Sequence, residues 1–143
     1  MPVDRKVGLA KALPDITQLT LRLGLAGIFW SAARTKVEGT MTISENTLFL
    51  FAEEYRLPFL SPEFAAYLTT YAEHLFPLAL VLGLGTRAAA FGLLFMTLVI
   101  QIFVYPAALA STHLGWMALA LAVIAYGPGR FALDQLLFGK RAS

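Results

Sequence analysis

Four apolar stretches, at residues 15–33, 63–83, 88–108 and 112–127, leave this chain few ways to fold. At about 1.5 Å of rise per helical residue, each crosses a hydrocarbon layer of about 30 Å, allowing for tilt or a slightly short span. Inside such a layer every exposed backbone amide must be bonded within its own segment, which selects helices. Gly83-Leu84-Gly85-Thr86-Arg87 separates the second stretch from the third, and Tyr105-Pro106 through Ser111-Thr112 separates the third from the fourth. Connections this short make neighbouring helices antiparallel. The expected fold class is all-α: a four-transmembrane-helix bundle forming one integral membrane domain over residues 1–143. The composition agrees, since 58% of residues are hydrophobic and 14% charged, where a soluble domain carries about 25% charged residues.

The first stretch follows Arg5, Lys6 and Lys11, as the apolar part of a secretory signal would. Gln18 and Arg22 interrupt it, however, and Pro14-Asp15 at its entrance is helix-start chemistry, so a retained first span is expected. With both termini cytoplasmic, the inner side holds Arg5, Lys6, Lys11, Arg87, Arg130, Lys140 and Arg141. The outer side holds Arg34, Lys36 and Arg56. Positive charge on the cytoplasmic side favours this orientation. The long connection, 34–62, contains Thr47-Leu48-Phe49-Leu50-Phe51-Ala52-Glu53-Glu54-Tyr55-Arg56-Leu57-Pro58-Phe59-Leu60, too short and too charged to span. It reads as a re-entrant or interfacial segment over the outer face. Gly127-Pro128-Gly129 stops the fourth span, and Arg130 to Phe138 predicts a short amphipathic helix.

Polar residues inside the spans are the functional signal, because a carboxylate at a bilayer centre costs roughly 2.5 to 3.5 kcal/mol on insertion scales. Glu73 and His74 sit mid-way along the second span, with Thr69, Thr70 and Glu73 on one face and His74 about one position round. Gln18, Arg22, Ala26, Phe29, Ala33 and Lys36 form a stripe on the first span, and Thr97, Gln101 and Tyr105 one on the third. Rise alone puts Arg22 roughly 10 Å from the inner edge, Glu73 and His74 roughly 14 to 15 Å, and Gln101 roughly 20 Å. Arg22 is therefore the expected counter-charge of Glu73, as a lock between helices or as part of a proton or ligand site. The candidate ligand-binding or proton-relay residues are Arg22, Glu73, His74, Gln101 and Tyr105. On the outer face the candidates are Lys36, Glu54, Tyr55 and His113, with His113 and Trp116 expected at the interface.

Other chemistry finds little support. Cysteine is absent, which removes disulfides, thiolate catalysis and iron–sulfur ligation. His74 and His113 are about 15 Å or more apart in depth, too far to share one metal ion. No metal site is expected. A net charge of +2, scattered over termini and turns, argues against nucleic acid. No phosphate-binding glycine loop or nucleophile–base motif is present.

The residues Arg22-Leu23-Gly24-Leu25 through Phe29-Trp30-Ser31-Ala32-Ala33-Arg34-Thr35-Lys36, then Glu73 with Pro77 to Gly83-Leu84-Gly85-Thr86-Arg87-Ala88-Ala89, and finally Gly127-Pro128-Gly129-Arg130-Phe131-Ala132-Leu133-Asp134 together resemble the DoxX family of small four-helix bacterial membrane proteins. Ala33 replaces a glycine common in that family, and Ala132 a serine. The resemblance implies a bacterial inner-membrane protein linked to thiosulfate–quinone oxidoreductase subunits and membrane redox or oxidative-stress complexes. Thr47 to Phe51 and Glu54 to Pro58 look like the branch encoded beside copper-binding, post-translationally modified peptide systems. The leading expectation is a redox-associated subunit acting with partner proteins, in which the Arg22–Glu73–His74–Gln101 region binds a quinone headgroup or relays its protons. The alternatives are a non-enzymatic accessory or scaffold for a copper-stress or modified-peptide system, with the 45–61 segment and the outer face of the bundle receiving the partner, and a small-solute transporter, for which a homodimer can build the pathway that four helices alone are too few to form.

Overall fold

The computed structural model describes residues 3–139, with side chains from residue 8 onward. Lys140 and Arg141, counted above as cytoplasmic charges, lie outside this range, as do the side chains of Arg5 and Lys6. Helix α1 (Val3–Arg34) leads through a two-residue-strand hairpin, β1 (Val37–Glu38) and β2 (Thr42–Ile43), into α2 (Glu45–Glu53). Then follow α3 (Pro62–Leu82), α4 (Thr86–Phe103), a turn of 3₁₀ helix (Pro106–Ala108), a π-helical turn (Leu109–His113), α5 (Leu114–Tyr126) and α6 (Leu133–Phe138). The class is helical, as the periodicity implies. Helix α1 packs on α3 and α5, and α4 packs on α3 and α5, so these four close a ring while α2 lies on α3.

Two expected boundaries move. Helix α1 does not begin at Pro14-Asp15 but runs through Pro14; Asp15 instead accepts a hydrogen bond from the Arg130 backbone N–H at 3.1 Å, tying α1 to the segment before α6. The third helix ends at Phe103 rather than near residue 108. Pro106 explains this, since its ring disfavours helical backbone at Tyr105, which adopts φ −130° and ψ 68°.

The core of the ring is Leu25, Ala26, Phe29, Leu80, Ala89, Ala90, Leu93, Ala120 and Val123. Alanines on three of the helices let backbones approach closely. A second cluster, Phe51 with Ala65 and Ala66, seats α2 on α3. Outside, the bundle presents Leu23, Leu68, Leu75, Leu78, Val81, Phe91, Phe95, Leu98 and Ile102, all exposed. So large an apolar exterior calls for an apolar surrounding. Thr86–Phe103 and Pro106–Tyr126 are each long and apolar enough to cross a membrane.

The end of the bundle near Gly83 is tied together by backbone carbonyls. Arg22, fully buried, donates from Nε to the Leu80 carbonyl at 2.8 Å and from Nη2 to that of Val81 at 3.0 Å; Nη1 reaches those of Pro128 and Phe131, both at 2.9 Å. Two of these carbonyls belong to the last turn of α3, where, among the described residues, the only backbone N–H reaching Leu80 is that of the cap residue Gly83, at 3.2 Å. Gly83 turns the chain there at φ 70°, where a Cβ would lie 2.4 Å from the Ala132 Cβ. Asp134 accepts from the backbone N–H groups of Gly85 at 2.7 Å and Thr86 at 2.8 Å, capping α4. Partial burial pushes the Asp134 carboxyl up, but these bonds and the nearby Arg22 charge outweigh it and hold the group below its ordinary range.

Candidate functional site

At the opposite end, α1 delivers Lys36 and α3 delivers Glu73 to one point. The Lys36 ammonium lies 2.7 Å from Oε2 of Glu73, whose side chain is 3% exposed against 17% for Lys36. This corrects the expected Arg22–Glu73 pair: Arg22 is spent on four carbonyls, and Lys36, assigned from its depth to the outer face, is the counter-charge. Its placement is built locally. The Lys36 carbonyl accepts from the backbone N–H of Ser44 at 3.1 Å and from the Thr47 hydroxyl at 2.9 Å, so the hairpin and the start of α2 fix the residue's backbone. Ser44 also caps α2 by accepting from the Thr47 N–H. On the partner side Pro77 has no N–H to give the Glu73 carbonyl, so the helix lacks a backbone bond at the residue that carries the buried charge.

The ion pair forms part of the wall of a cavity of about 420 Å³, within the range of small-molecule sites. Its floor and sides are aromatic and aliphatic, including Phe29, Phe51, Phe76, Met96 and Trp116; its polar lining comprises Lys36, Glu73, Thr69, Tyr55, Tyr105 and His113. The phenol oxygens of Tyr55 and Tyr105 are 3.0 Å apart, and their rings meet edge to face at 5.7 Å, joining the segment after α2 to the α4–α5 connection. Burial, with the bond to Tyr105 and the nearby Tyr105 and Glu54 charges adding to it, pushes the Tyr55 phenol up to about 12. An absorbance titration of the tyrosinates should therefore show one of the five tyrosines ionising near pH 12, and Tyr55→Phe should remove that step. Because the folded pKa is raised above the ordinary 10.0, stability should fall as pH rises from about 10 to 12 and be unaffected by this group below that window.

The remaining candidates divide. His113, expected at the interface, is 2% exposed and lines the cavity. Its Nδ1 lies 2.7 Å from Gln101 Oε1, and Trp116 stands 5.3 Å away, ring to ring. A π-helical turn holds it, an irregularity that often accompanies functional positions. Gln101 does not line the cavity; it orients His113 while its Nε2 donates to the Pro106 carbonyl at 2.8 Å. His74 faces away, its Nδ1 2.7 Å from the Thr70 carbonyl and its ring edge to face with Trp30 at 5.2 Å. Its Nε2 is buried without a hydrogen-bond partner among the described residues. Glu54 is exposed and stands off the cavity. Arg22 lies at the other end. Sequence reasoning missed Trp116 and Phe51 as cavity walls; their signal was helical spacing from His113 and from Tyr55.

Chemically, the arrangement is a largely apolar cavity, open on one side, with a buried cation–carboxylate pair, a histidine and two phenols converging on it. Among the described residues no group of three or more His, Asp or Glu side chains is placed to hold a metal ion. No curated protein and no solved structure gives a significant match. A family model described as DoxX matches residues 17–106, which carry Lys36, Tyr55, Glu73, Tyr105 and most of the cavity wall, whereas the Gly127–Asp134 motif falls beyond them. The chain belongs to the DoxX family and is a membrane protein of that type.

Proposed function

We propose that this protein is a redox-associated subunit of a membrane complex that binds a quinone-like ring in the cavity beside Lys36 and Glu73. The observation that carries this reading is the pairing of a buried, charge-balanced Lys36–Glu73 contact with a cavity whose other walls are largely aromatic and aliphatic. A flat ring bearing carbonyl oxygens fits that combination: Phe29, Phe76 and Trp116 offer ring faces and edges, Lys36 and Tyr55 offer hydrogen-bond donors, and His113, whose Nδ1–H is given to Gln101, offers Nε2 as an acceptor. Such a ligand, when bound, supplies reversible two-electron, two-proton chemistry. The chain's own residues orient it and manage protons: Lys36 and Glu73 exchange a proton without leaving a lone charge in an apolar site, and Gln101 holds the His113 ring in a fixed orientation. Electrons come from a partner protein.

Within this reading α1, α3, α4 and the Pro106–Tyr126 stretch all cross a bacterial inner membrane, with both termini cytoplasmic. In favour stand the lengths of α1 and α3, 32 and 21 residues, and their closure of the ring with the two apolar helices. Protein purified from its membrane should carry quinone, and Glu73→Ala should lose it. A preparation that neither carries nor takes up quinone would sink the proposal.

One observation favours a non-enzymatic accessory role: Phe49 on α2 is 60% exposed. Phe51, the neighbouring candidate for partner contact, is buried against α3 and serves the fold. Co-purification of a protein partner, abolished by Phe49→Ala in a protein without quinone, would support that alternative.

A further inference from the structure

The cavity has two unlike ends. Lys36, Glu73 and His113 are at most partly exposed, whereas four other lining side chains reach the outside of the bundle: Leu68 of α3 is 50% exposed, Phe95 of α4 59%, Phe59 of the segment after α2 57%, and Tyr105 after α4 47%. A residue that lines a cavity while half its surface is free marks the cavity's mouth. Leu68 and Phe95 belong to neighbouring helices, so the mouth opens along the seam between α3 and α4 and extends at one end to Phe59 and Tyr105. Around it Tyr71, Leu75, Phe91 and Leu98 are exposed, which makes this the apolar exterior of a membrane protein rather than an aqueous face.

The seam is also built to part. Phe76 of α3 rests on Gly92 of α4, where a Cβ would meet the ring at 2.6 Å. Both residues line the cavity. A contact of one aromatic ring over a bare backbone opens by rotation of that ring, without breaking interdigitated side chains. The cavity's volume, about 420 Å³, lies toward the lower end for ligand sites, which run to about 1,000 Å³. A ring fits inside, and a long chain attached to it must lie elsewhere.

We infer that the α3–α4 seam between Leu68, Phe76, Gly92 and Phe95 is a lateral portal, and that the ligand is a membrane-borne amphiphile whose ring occupies the cavity while its long apolar chain lies in the seam and continues into the bilayer. This rests on the quinone-like reading above and narrows it to chain-bearing quinones drawn from the lipid. Glu73 and Lys36 meet the polar ring end, and the seam, lined by apolar groups and glycine, meets the chain. An apolar chain leaving through the seam stays in hydrocarbon throughout, whereas an exit past α2 would carry it toward the polar surface of the outer segment.

The chain's lack of cysteine gives a clean test. Leu68→Cys with Phe95→Cys, at the mouth and away from the ring-binding wall, is reconstituted in lipid nanodiscs and bridged by a short, reducible thiol cross-linker. Binding is then measured for a benzoquinone with no chain and for the same ring carrying a long isoprenoid chain. Bridging should weaken the chain-bearing ligand at least tenfold and leave the chainless one within about twofold, and reduction should restore both to the unbridged values. Undiminished binding of the chain-bearing quinone overturns the portal and leaves the cavity reading standing. Equal loss of both ligands also overturns it, because the seam would then not be reserved for the chain. Failure of the unbridged protein to bind either quinone overturns the reading on which the portal depends. Independently of any substitution in the seam, a quinone with a photoactivatable chain should label α3 and α4 near Leu68 and Phe95 in the unaltered protein. Labelling confined to residues 54–60 contradicts the portal.

Discussion

Replacing Lys36 with methionine should destabilise the protein by about 3–5 kcal/mol at neutral pH, the cost of leaving one member of a buried ion pair alone. The effect should be asymmetric. Glu73 is 3% exposed, whereas Lys36 keeps 17% exposure on a long flexible stem. An orphaned Lys36 can swing its ammonium toward the outer surface, as lysines near helix ends do. An orphaned Glu73 carboxylate stays in the apolar wall. Glu73→Gln should therefore cost clearly less than Lys36→Met, and Lys36→Met combined with Glu73→Gln should recover most of the loss, because the remaining groups are uncharged and of similar volume. Equilibrium unfolding of the four proteins in mixed micelles, arranged as a double-mutant cycle, reads the coupling directly. Additive effects would mean that the 2.7 Å contact contributes nothing.

Arg22→Met should be comparably severe, about 3–5 kcal/mol by the same reasoning for a buried hydrogen-bonded charge. The cause differs. The carbonyls of Val81, Pro128 and Phe131 lose this donor at once, and that of Leu80 keeps the Gly83 N–H at 3.2 Å; two of the four terminate α3, where the helix dipole already concentrates negative charge. Arg22→Lys should rescue less than half, because an ammonium cannot present the planar fork that spans the α3 end and the 128–131 segment together. Gly83→Ala should act on the same tie from the other side. Its Cβ would fall 2.8 Å from Arg22 Nη2 as well as against Ala132, at a φ of 70° that alanine resists. Limited proteolysis near Phe131 to Asp134 should rise in both variants while the cavity end stays protected. Unchanged stability in Arg22→Met would show that the carbonyl cluster is satisfied without it.

The two arginine and lysine assignments also show what was legible beforehand. Apolar length, the Gly83–Arg87 turn and the Gly127–Gly129 stop marked the packed helices, because these depend on local chain chemistry alone. The depth estimate failed for the charges, because it tracks Cα positions along each helix and ignores side-chain reach. By rise alone Lys36 lies about 21 Å beyond Arg22 along α1, so Arg22 looked the nearer partner for Glu73, and nothing in the sequence announced that backbone carbonyls would claim it. Side-chain pairing can be guessed from residue types, whereas carbonyl acceptors are present everywhere. The hairpin that sets Lys36 was likewise invisible as strand, since two residues per strand give no alternation to read. Its clue was Ser44 three residues before Thr47, a helix start whose Ser44 N–H and Thr47 hydroxyl also bond the Lys36 carbonyl. Burial of His113 in the cavity wall was not legible either, because the π-helical turn that carries it has no sequence signature of its own.

Binding of a quinone-like ring in the Lys36–Glu73 cavity should be visible in tryptophan fluorescence. Of the two tryptophans, Trp116 lines this cavity, while Trp30 lies in a separate groove between α1 and α3. In a Trp30→Phe protein held in nanodiscs, added quinone should quench Trp116 saturably, approaching one quinone per chain, and the Lys36→Met, Glu73→Gln double variant should lose that saturable phase while retaining its fold. Quenching that rises linearly with quinone in the lipid, and is the same in the double variant, would contradict the account.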